Sequence, residues 1–421
     1  MVGDTLAHVE IEMRLISVLS GDSDPMAQRI RTAFFWFHLT AGLMAGVVVV
    51  IMSATGVLLA FEKQLVYYAD TRQIALTPGP APALPIDEVL ARVRATGLVT
   101  EPSAVALRPD PAAPVALTVG QGAVAYADPY TGRLLGRGDA GVRAFFRSVT
   151  DWHRWLAASG ENRASGRAVT GAANLAFLFL VLSGAYLWIP RSWAWRTVRQ
   201  VIWFRRGLAG KAMDFNWHNT IGVWSVVPLA IVVASGVVIS YPWASNLVYR
   251  VVGEAPPAPR GGERPGARAE GRGQRPSGVA VAANAVSLDA ALTTARQQRP
   301  GWRALTLRLP VSDTAPLAVT IDDGGPGQPQ YRGTLTIDRA TGAVTKWEGF
   351  DAGTRGRRLR TLLRFAHTGE VAGLAGQAVA GLASLGAVFL AYTGVALSLR
   401  RFAAWRVRRR RPDAELARPA A

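Results

Sequence analysis

Four stretches without a charged residue constrain the fold of this chain most strongly. A helix of about 20 apolar residues crosses the hydrocarbon core of a bilayer. All four stretches reach that length, and four such runs are difficult to bury inside one soluble fold. The sequence therefore predicts an integral membrane protein with four spanning helices. The stretches are Thr32 to Phe61, Ala168 to Ile189, Phe215 to Tyr249 and Val371 to Leu399.

The formal net charge of +18 could suit nucleic acid, but the basic residues are placed as in a membrane protein. They cluster before the first run, between the second and third, and after the fourth, and these segments share one side if all runs span the membrane. The positive-inside rule makes that side the cytoplasm. We therefore predict cytoplasmic N- and C-termini, outside segments at about 62–167 and 250–370, and no nucleic-acid partner. The clustered residues are Arg14, Arg29, Arg31, Arg191, Arg196, Arg199, Arg205, Arg206, Lys211, Arg400, Arg401, Arg406 and Arg408 to Arg411.

Histidine and glycine recur at matched positions in the first and third runs. In both, a glycine follows the histidine by 4 residues, and a hydroxyl residue and a second glycine follow it by 17 and 18. The second and fourth runs share a hydroxyl–glycine pair. We interpret the chain as a duplicated two-span unit, with parallel repeats about an axis along the membrane normal. The matched sets are His38, Gly42, Thr55 and Gly56 with His218, Gly222, Ser235 and Gly236, and Ser183 and Gly184 with Thr393 and Gly394.

The two outside segments repeat as well. Each has a helical stretch, near 85–96 and 287–298, followed by short β-branched runs with the alternation typical of strands. Each also contains Asp-x-x-Thr-Gly, at 128–132 and 338–342, which fits a hairpin turn between two strands. Residues 254–278 are rich in Pro, Gly and Arg, and we predict a disordered insertion there.

Four of the five histidines fall at matched positions, and His8 has no match. His38 and His218 lie about one turn inside the cytoplasmic ends of the first and third runs. His153 and His367 lie just outside the external ends of the second and fourth runs. A twofold axis would place His38 opposite His218 and His153 opposite His367. Single histidines can sit at headgroup level as interface residues, but symmetric pairs near both membrane faces favour a ligand role.

Haem is the cofactor that these pairs suit best. Imidazoles from facing helices ligate haem iron, and two of them leave it six-coordinate, which favours electron transfer. Because the chain has no cysteine, iron–sulfur clusters and covalent haem attachment are excluded. Gly42 and Gly222 could leave room for a macrocycle or could serve close helix packing. Zinc or copper fits less well, since two histidines leave coordination positions unfilled.

Basic residues near the two histidine pairs could bind the anionic propionates of haem. Each is explained equally well as a membrane-edge residue, so none is assigned to a site. These residues are Arg154, Arg163 and Arg167 near the outer pair, and Arg31 and Lys211 near the inner pair.

Several motifs resemble those of the PepSY-associated transmembrane proteins, which are bacterial inner-membrane proteins linked to siderophore and iron uptake. The external blocks are similar to PepSY domains, and the resemblance covers roughly residues 30–400. It implies a haem b-containing reductase that passes electrons across the inner membrane to ferric siderophore in the periplasm, with the four matched histidines as ligands. The insertion at 254–278 departs from the family pattern and leaves the substrate open. The motifs are Trp152-His-Arg-Trp155, Ser183-Gly184 with Trp188-Ile-Pro-Arg191, Trp217-His218 and His367-Thr-Gly369.

Together these features predict a membrane protein, mainly α with α+β periplasmic parts. Its four-transmembrane-helix bundle would derive from a duplicated two-span unit, with a PepSY-like α+β domain inserted in each half. The predicted segments are a cytoplasmic tail (1–31), the first span (32–61), periplasmic domain 1 (62–150), a histidine segment with the second span (151–190), a basic cytoplasmic loop (191–214), the third span (215–243), periplasmic domain 2 (244–360), a histidine segment with the fourth span (361–399) and a basic cytoplasmic tail (400–421).

The leading functional hypothesis is a ferric-siderophore or ferric-chelate reductase with two haem b groups. Its partners would be membrane lipid and an unidentified cytoplasmic or quinol electron donor, and its catalytic residues are unknown. A non-enzymatic alternative is a membrane-anchored PepSY regulator or sensor of periplasmic peptidases, which predicts no tightly bound cofactor. A siderophore or metal transporter ranks third, because four spans are few for alternating access. The basic loop could dock an acidic donor or anionic lipid headgroups.

Overall fold

The computed structural model describes residues 25–409, with several short gaps and one long gap at 259–284. The predicted insertion at 254–278 therefore lies outside the described residues except for its first five positions. Most of the N-terminal tail and the end of the C-terminal tail also lie outside them. The short gaps are residues 75, 79, 100, 121–122, 191–192, 311, 313–314 and 326.

The chain divides into two compact units. The helical unit takes in Met1–Leu58, Thr150–Ser240 and Val379–Ala421, and the sheet unit takes in Leu59–Val149 and Tyr241–Ala378. The helices in chain order are α1 (Pro25–Leu59), α2 (Glu62–Thr71), α3 (Ile86–Ala95), α4 (Ala140–Trp155), α5 (Arg163–Trp188), α6 (Trp195–Ile202), α7 (Gly210–Ser240), α8 (Pro242–Val251), α9 (Leu288–Gln298), α10 (Arg355–His367) and α11 (Gly373–Arg409).

Four helices, α1, α5, α7 and α11, take up most of the four charge-free runs. The third run does not form one helix, because α7 ends at Ser240 and the run continues into α8. Each of the four helices is long and apolar enough to cross a membrane, which confirms the four predicted spans. A continuous helix suits these runs because hydrocarbon offers no hydrogen-bond partner, so that every backbone N–H and C=O must be satisfied within the protein.

Each spanning helix extends past one end of its charge-free run. Because α1 begins at Pro25, Arg29 and Arg31 lie in its first turns. The Arg31 guanidinium donates to the carbonyls of Leu187 at 2.6 Å and Ile189 at 3.1 Å. These carbonyls lie at the C-terminal end of α5, where the helix itself supplies no donor. A residue predicted as a cytoplasmic charge is therefore also a helix cap.

Small residues line the contacts inside the helical unit. Ala45 and Ala173 are buried in one cluster, and Ala383 and Ala387 are buried in another. Small side chains let helices approach closely where lipid provides no hydrophobic driving force. A buried amide adds a polar link, since Asn174 on α5 donates to a backbone carbonyl of α7 at 3.1 Å.

One antiparallel sheet of eight strands forms the sheet unit, in the order β4-β3-β2-β1-β5-β6-β7-β8. The first outside segment supplies β1 to β4 and the second supplies β5 to β8, so the two predicted α+β domains share one sheet. Helices α3 and α9, close to their predicted positions, bury apolar side chains against it. The strands are β1 (Pro102–Leu107), β2 (Val115–Val119), β3 (Ala123–Ala127), β4 (Leu134–Arg137), β5 (Ala304–Arg308), β6 (Leu317–Asp322), β7 (Arg332–Ile337) and β8 (Val344–Glu348).

Strands β1 and β5 join the two halves at the centre of the sheet. Val105 pairs with Leu307 and Ala106 pairs with Thr306 in antiparallel register. Val105 and Leu307 are completely buried. Without this pairing, each half would present a strand edge with open N–H and C=O groups, which invite aggregation. The pairing converts two half-sheets into one with a continuous core.

The Asp-x-x-Thr-Gly segments form the hairpin turns that were predicted. Asp128 and Asp338 each accept hydrogen bonds from backbone N–H groups two and three residues later. The bond from the Thr341 N–H is the main reason that the pKa of Asp338 lies below its ordinary value. Gly132 at φ +67° and Gly342 at φ +73° adopt the left-handed conformation that closes each turn.

Two carboxyl groups meet at the N-terminal ends of α3 and α9. Asp87 accepts a hydrogen bond from the Leu288 N–H at 3.0 Å, and Asp289 accepts one from the Asp87 N–H at 3.2 Å. Each aspartate thereby caps the helix that carries the other. Burial and, secondarily, repulsion by Asp289 raise the pKa of Asp87 above its usual 3.8.

We expect Asp289→Asn to stabilise the sheet unit at neutral pH. A carboxyl whose pKa is raised on folding stabilises the fold when protonated, so its contribution is present below pH 3.8 and is lost as pH rises through the raised value. Because the pair is half exposed, the expected gain at neutral pH is about 0.5–1 kcal/mol, with a flatter pH profile. Urea-dependent proteolysis of the full chain in detergent measures it, with Glu88→Gln as the control. A variant less stable than the parent would contradict this expectation.

Candidate functional site

Two of the matched histidines lie inside spanning helices, and each meets a hydroxyl group from a neighbouring helix. Nδ1 of His38 on α1 is 2.8 Å from Oγ of Ser183 on α5. Nδ1 of His218 on α7 is 2.9 Å from Oγ1 of Thr393 on α11. Both rings are half-buried. The helical unit therefore contains a pair of similarly held imidazoles, on α1 and α7.

His153 has the same kind of partner. It lies near the C-terminal end of α4 and is half-buried. Its Nδ1 is 2.9 Å from Oγ1 of Thr55 on α1. At least three of the four predicted ligands therefore have one ring nitrogen engaged by a serine or threonine hydroxyl.

The hydrogen bonds of the three hydroxyl groups determine which nitrogen of each imidazole carries the hydrogen. Each hydroxyl oxygen lies close to the carbonyl oxygen four residues earlier in its own helix, at 2.6 Å for Ser183, 2.8 Å for Thr393 and 2.6 Å for Thr55. Two oxygens at such distances need a proton between them, and a hydroxyl has only one. The hydroxyl therefore donates to its own helix and accepts from the imidazole. Nδ1 carries the hydrogen, and Nε2 keeps its lone pair.

A glycine follows each of these hydroxyl residues and lies beside the ring. A Cβ atom added at Gly184 would lie 3.2 Å from Cε1 of His38. The corresponding distances at Gly394 and Gly56, each to the ring held by the preceding hydroxyl, are 3.5 and 3.6 Å. We call these three pairs the hydroxyl–glycine seats: Ser183-Gly184, Thr393-Gly394 and Thr55-Gly56. Each seat combines a hydroxyl partner for Nδ1 with a glycine beside Cε1, and among the three only at Gly184 would a Cβ atom lie closer to the ring than an ordinary van der Waals contact.

Gly42 and Gly222, the glycines one turn after His38 and His218, each face a leucine. A Cβ atom added there would lie 3.7 Å from Cδ2 of Leu180 or Leu390, respectively. This is an ordinary van der Waals distance. Of the two roles considered for these glycines, the contacts favour helix packing.

The turn after His153 is strained and tightly packed. Leu156 at φ +51° and Ala157 at φ +59° adopt the left-handed conformation. Such a conformation costs a residue with a side chain about 1–3 kcal/mol, and it is frequent at functional sites. Gly166 of α5 lies so close to the Trp155 carbonyl that a Cβ atom would not fit. These constraints orient the end of α4, which carries His153.

His367 is the last residue of α10, in the sheet unit. Gly369 follows at φ +74°. Gly376 of α11 lies against the Gly369 carbonyl, again too close for a Cβ atom. The helix end that carries His367 is thus held by a glycine of the following helix, as is the end that carries His153.

Three basic residues considered for propionate contacts have protein partners. The Arg154 guanidinium lies 4.5 Å from the centroid of the Trp155 ring. Arg163 pairs with Asp151 at 3.3 Å, and Arg31 donates to the carbonyls at the end of α5. Arg167 and Lys211 have exposed side chains. These contacts account for Arg163 and Arg31 without a ligand, so we assign neither to a site.

Sequence reasoning identified the hydroxyl–glycine pairs as marks of duplication but gave them no role beside the histidines. The recurrence of one pair in every run was the available signal. Serine and threonine in helices often bond only to their own preceding turn. Which imidazole each hydroxyl meets depends on how the helices pack, and no spacing in the sequence records this.

The donor set suits a group that takes one nitrogen from each of two rings. A neutral imidazole with a free nitrogen lone pair is the form that binds metal, and the hydrogen bond of its other nitrogen fixes that form. Within the described residues, no three His, Asp or Glu side chains are grouped to hold an ion. Two neutral imidazoles are a donor set that haem iron accepts.

A family model described as PepSY-associated TM region matches residues 35–401 of the chain. The match covers nearly the whole sequence, including the four matched histidines and all three hydroxyl–glycine seats. No curated protein matches the chain.

Proposed function

This chain belongs to the PepSY-associated TM region family, and from that premise we propose that it is a haem b-containing membrane oxidoreductase. It passes electrons across the bacterial inner membrane and reduces ferric siderophore or another ferric chelate in the periplasm. One observation carries this proposal. The imidazoles of His38 and His218 each have Nδ1 engaged by a hydroxyl, which leaves Nε2 of each free to bind iron.

His38 and His218 hold the cytoplasmic-side haem in this proposal, and His153 and His367 hold the periplasmic-side haem. Haem bound by two histidines supplies a one-electron carrier whose iron has no open coordination position. The assignment of the outer pair rests on the sequence match between the two halves. The matched seats of His38 and His218, each on the following spanning helix, support the proposed duplication of a two-span unit.

The charge distribution supports the membrane topology that the proposed electron flow requires. The basic residues at 191–214 and after Leu399 lie on the cytoplasmic side under the positive-inside rule. The sheet unit then faces the periplasm, where the ferric substrate is reduced. A cytoplasmic protein or a membrane quinol supplies the electrons.

An optical spectrum of the purified protein tests this function. We expect a Soret band, a reduced α band of the b type and two haems per chain. The dithionite-reduced protein should reoxidise when a ferric chelate is added. If no haem is present after expression with adequate haem supply, the reductase proposal fails. Binding of a peptidase by haem-free protein would instead support the regulator hypothesis.

Removing a seat hydroxyl should loosen the haem held by its histidine. In Ser183→Ala or Thr393→Val the Nδ1 hydrogen loses its acceptor, and loss of such a second partner typically weakens metal binding roughly 10–100-fold. The midpoint potential should also rise, because the hydrogen bond makes the imidazole a stronger donor and favours ferric iron. Haem transfer to an apo-globin and redox titration measure the two effects.

The conservative exchanges Ser183→Thr and Thr393→Ser are the matched controls, because they keep the hydroxyl. They should retain the parent affinity and potential. Equal behaviour of the hydroxyl-free and hydroxyl-bearing variants would show that the seats do not act on the haem.

A further inference from the structure

Helix α6 is tied to the first turns of the spanning helix that follows it. The Asn216 side chain on α7 donates to the carbonyls of Gln200 and Trp203, both at 3.1 Å, and accepts from the Arg205 N–H at 3.0 Å. Nε1 of Trp224, two turns further along α7, donates to the carbonyl at the end of α6 at 2.9 Å. These bonds fix α6 and the segment after it against the beginning of a membrane span.

The outer surface of this segment is both aromatic and basic. A groove there is lined by four arginines and three aromatic residues. Within the described part of the chain, none of the four guanidinium groups lies within ion-pair distance of a carboxylate. The groove therefore carries uncompensated positive charge. Its residues are Arg196, Arg199, Arg205, Arg206, Trp195, Trp203 and Phe204, together with Gln200.

The aromatic residues place this groove at the bilayer surface. The rings of Trp203 and Trp224 lie 6.2 Å apart, and Trp224 is 64% exposed on a spanning helix. Trp195 and Phe204 are 65% and 56% exposed. Exposed tryptophans beside arginines are typical of the interface between acyl chains and headgroups. An acidic soluble protein would match the charge but not this aromatic surface.

We propose that the α6 groove binds the headgroup of an anionic phospholipid of the surrounding membrane. The guanidinium groups contact the lipid phosphate with bonds that suit its oxygens, and the aromatic rings lie at the level of the acyl-chain boundary. The proposal does not depend on haem or on electron transfer. It assigns a partner to a segment that the redox function leaves unexplained.

Lipid retention by the full chain tests this proposal. The protein is reconstituted into vesicles with equal amounts of phosphatidylcholine and phosphatidylglycerol and extracted in mild detergent. The retained lipids are then quantified by mass spectrometry. We expect the parent protein to retain phosphatidylglycerol preferentially. Replacing the four groove arginines with glutamine should abolish the preference, with about fivefold weaker retention for each arginine removed.

The matched control replaces the four arginines 408–411 with glutamine, which removes the same charge from the C-terminal tail. It should keep the preference. The proposal would be overturned if both variants lost the preference for phosphatidylglycerol equally, or if the groove variant kept it. In the second case an acidic protein would be the remaining partner for the groove. Displacement of the lipid by inorganic phosphate at equal concentration would also overturn it. If the fourfold variant does not elute as a single species, the pairs R196Q/R199Q and R205Q/R206Q provide the same test.

Discussion

His218→Ala should remove one of the two proposed haems and leave the other in place. His218 is one of two imidazoles whose free Nε2 would bind the cytoplasmic-side iron, and alanine offers no donor. The same loss is expected for His38→Ala, because one remaining imidazole leaves the iron five-coordinate and weakly held. The haem-to-protein ratio of purified protein, from pyridine haemochrome and amino-acid analysis, should fall by half in each variant. Their spectra should then resemble each other.

His8→Ala is the natural control, because His8 has no match in the other half of the chain. It should keep full haem content. A second check uses His218→Gly supplemented with free imidazole, which should restore the lost haem if the cavity beside Gly394 still accepts a ring. Unchanged haem content in both alanine variants would show that His38 and His218 are not haem ligands. The family assignment would still hold.

Asp70→Ala should be among the most destabilising single substitutions in the sheet unit. The Asp70 carboxylate is completely shielded and pairs with Arg143. It also accepts hydrogen bonds from the Tyr126 hydroxyl at 2.9 Å and the Asp139 N–H at 2.7 Å. Removing one partner of a buried ion pair leaves the other charge uncompensated and costs about 3–5 kcal/mol. Burial and the bond to Asp70 raise the pKa of Tyr126, so its phenol remains a donor.

An exposed ion pair in the same unit provides the comparison. Asp351 is 92% exposed and pairs with Arg358 at 3.4 Å, so Asp351→Ala should cost no more than about 1 kcal/mol. Urea-dependent proteolysis of the full chain measures both variants. Equal effects of the two substitutions would mean that the buried network around Asp70 contributes little to stability. Tyr126→Phe should have an intermediate effect, because it removes one hydrogen bond and keeps the ion pair.

The repeated local patterns of the sequence were reliable guides to the elements. The charge-free runs marked the four spanning helices, and Asp128 and Asp338 marked two hairpin turns that the structure contains. Helices α3 and α9 formed where apolar and polar residues suggested them. The ends of the spanning helices differ by several residues from the predicted ends, because polar residues such as Arg29 can continue a helix beyond the hydrocarbon core.

The contacts that give these elements a role required the structure. The pairing of β1 with β5 joins residues about 200 positions apart in the chain, and the seat of His38 lies on another helix. Nothing in the sequence distinguishes Gly166 from other small residues, but the structure places the Trp155 carbonyl against it. Such contacts depend on the tertiary packing of helices and strands, which no local sequence pattern specifies.

By itself, the sequence determined that this is a four-span membrane protein with one matched histidine for each span, because hydrophobic length and residue order are properties of the chain alone. Only the tertiary structure decided which nitrogen is free in two of those histidines, His38 and His218. That outcome depends on a hydroxyl from a different helix, whose single proton is already donated to its own backbone. The imidazole must then be the donor, and its other nitrogen is left with an open lone pair.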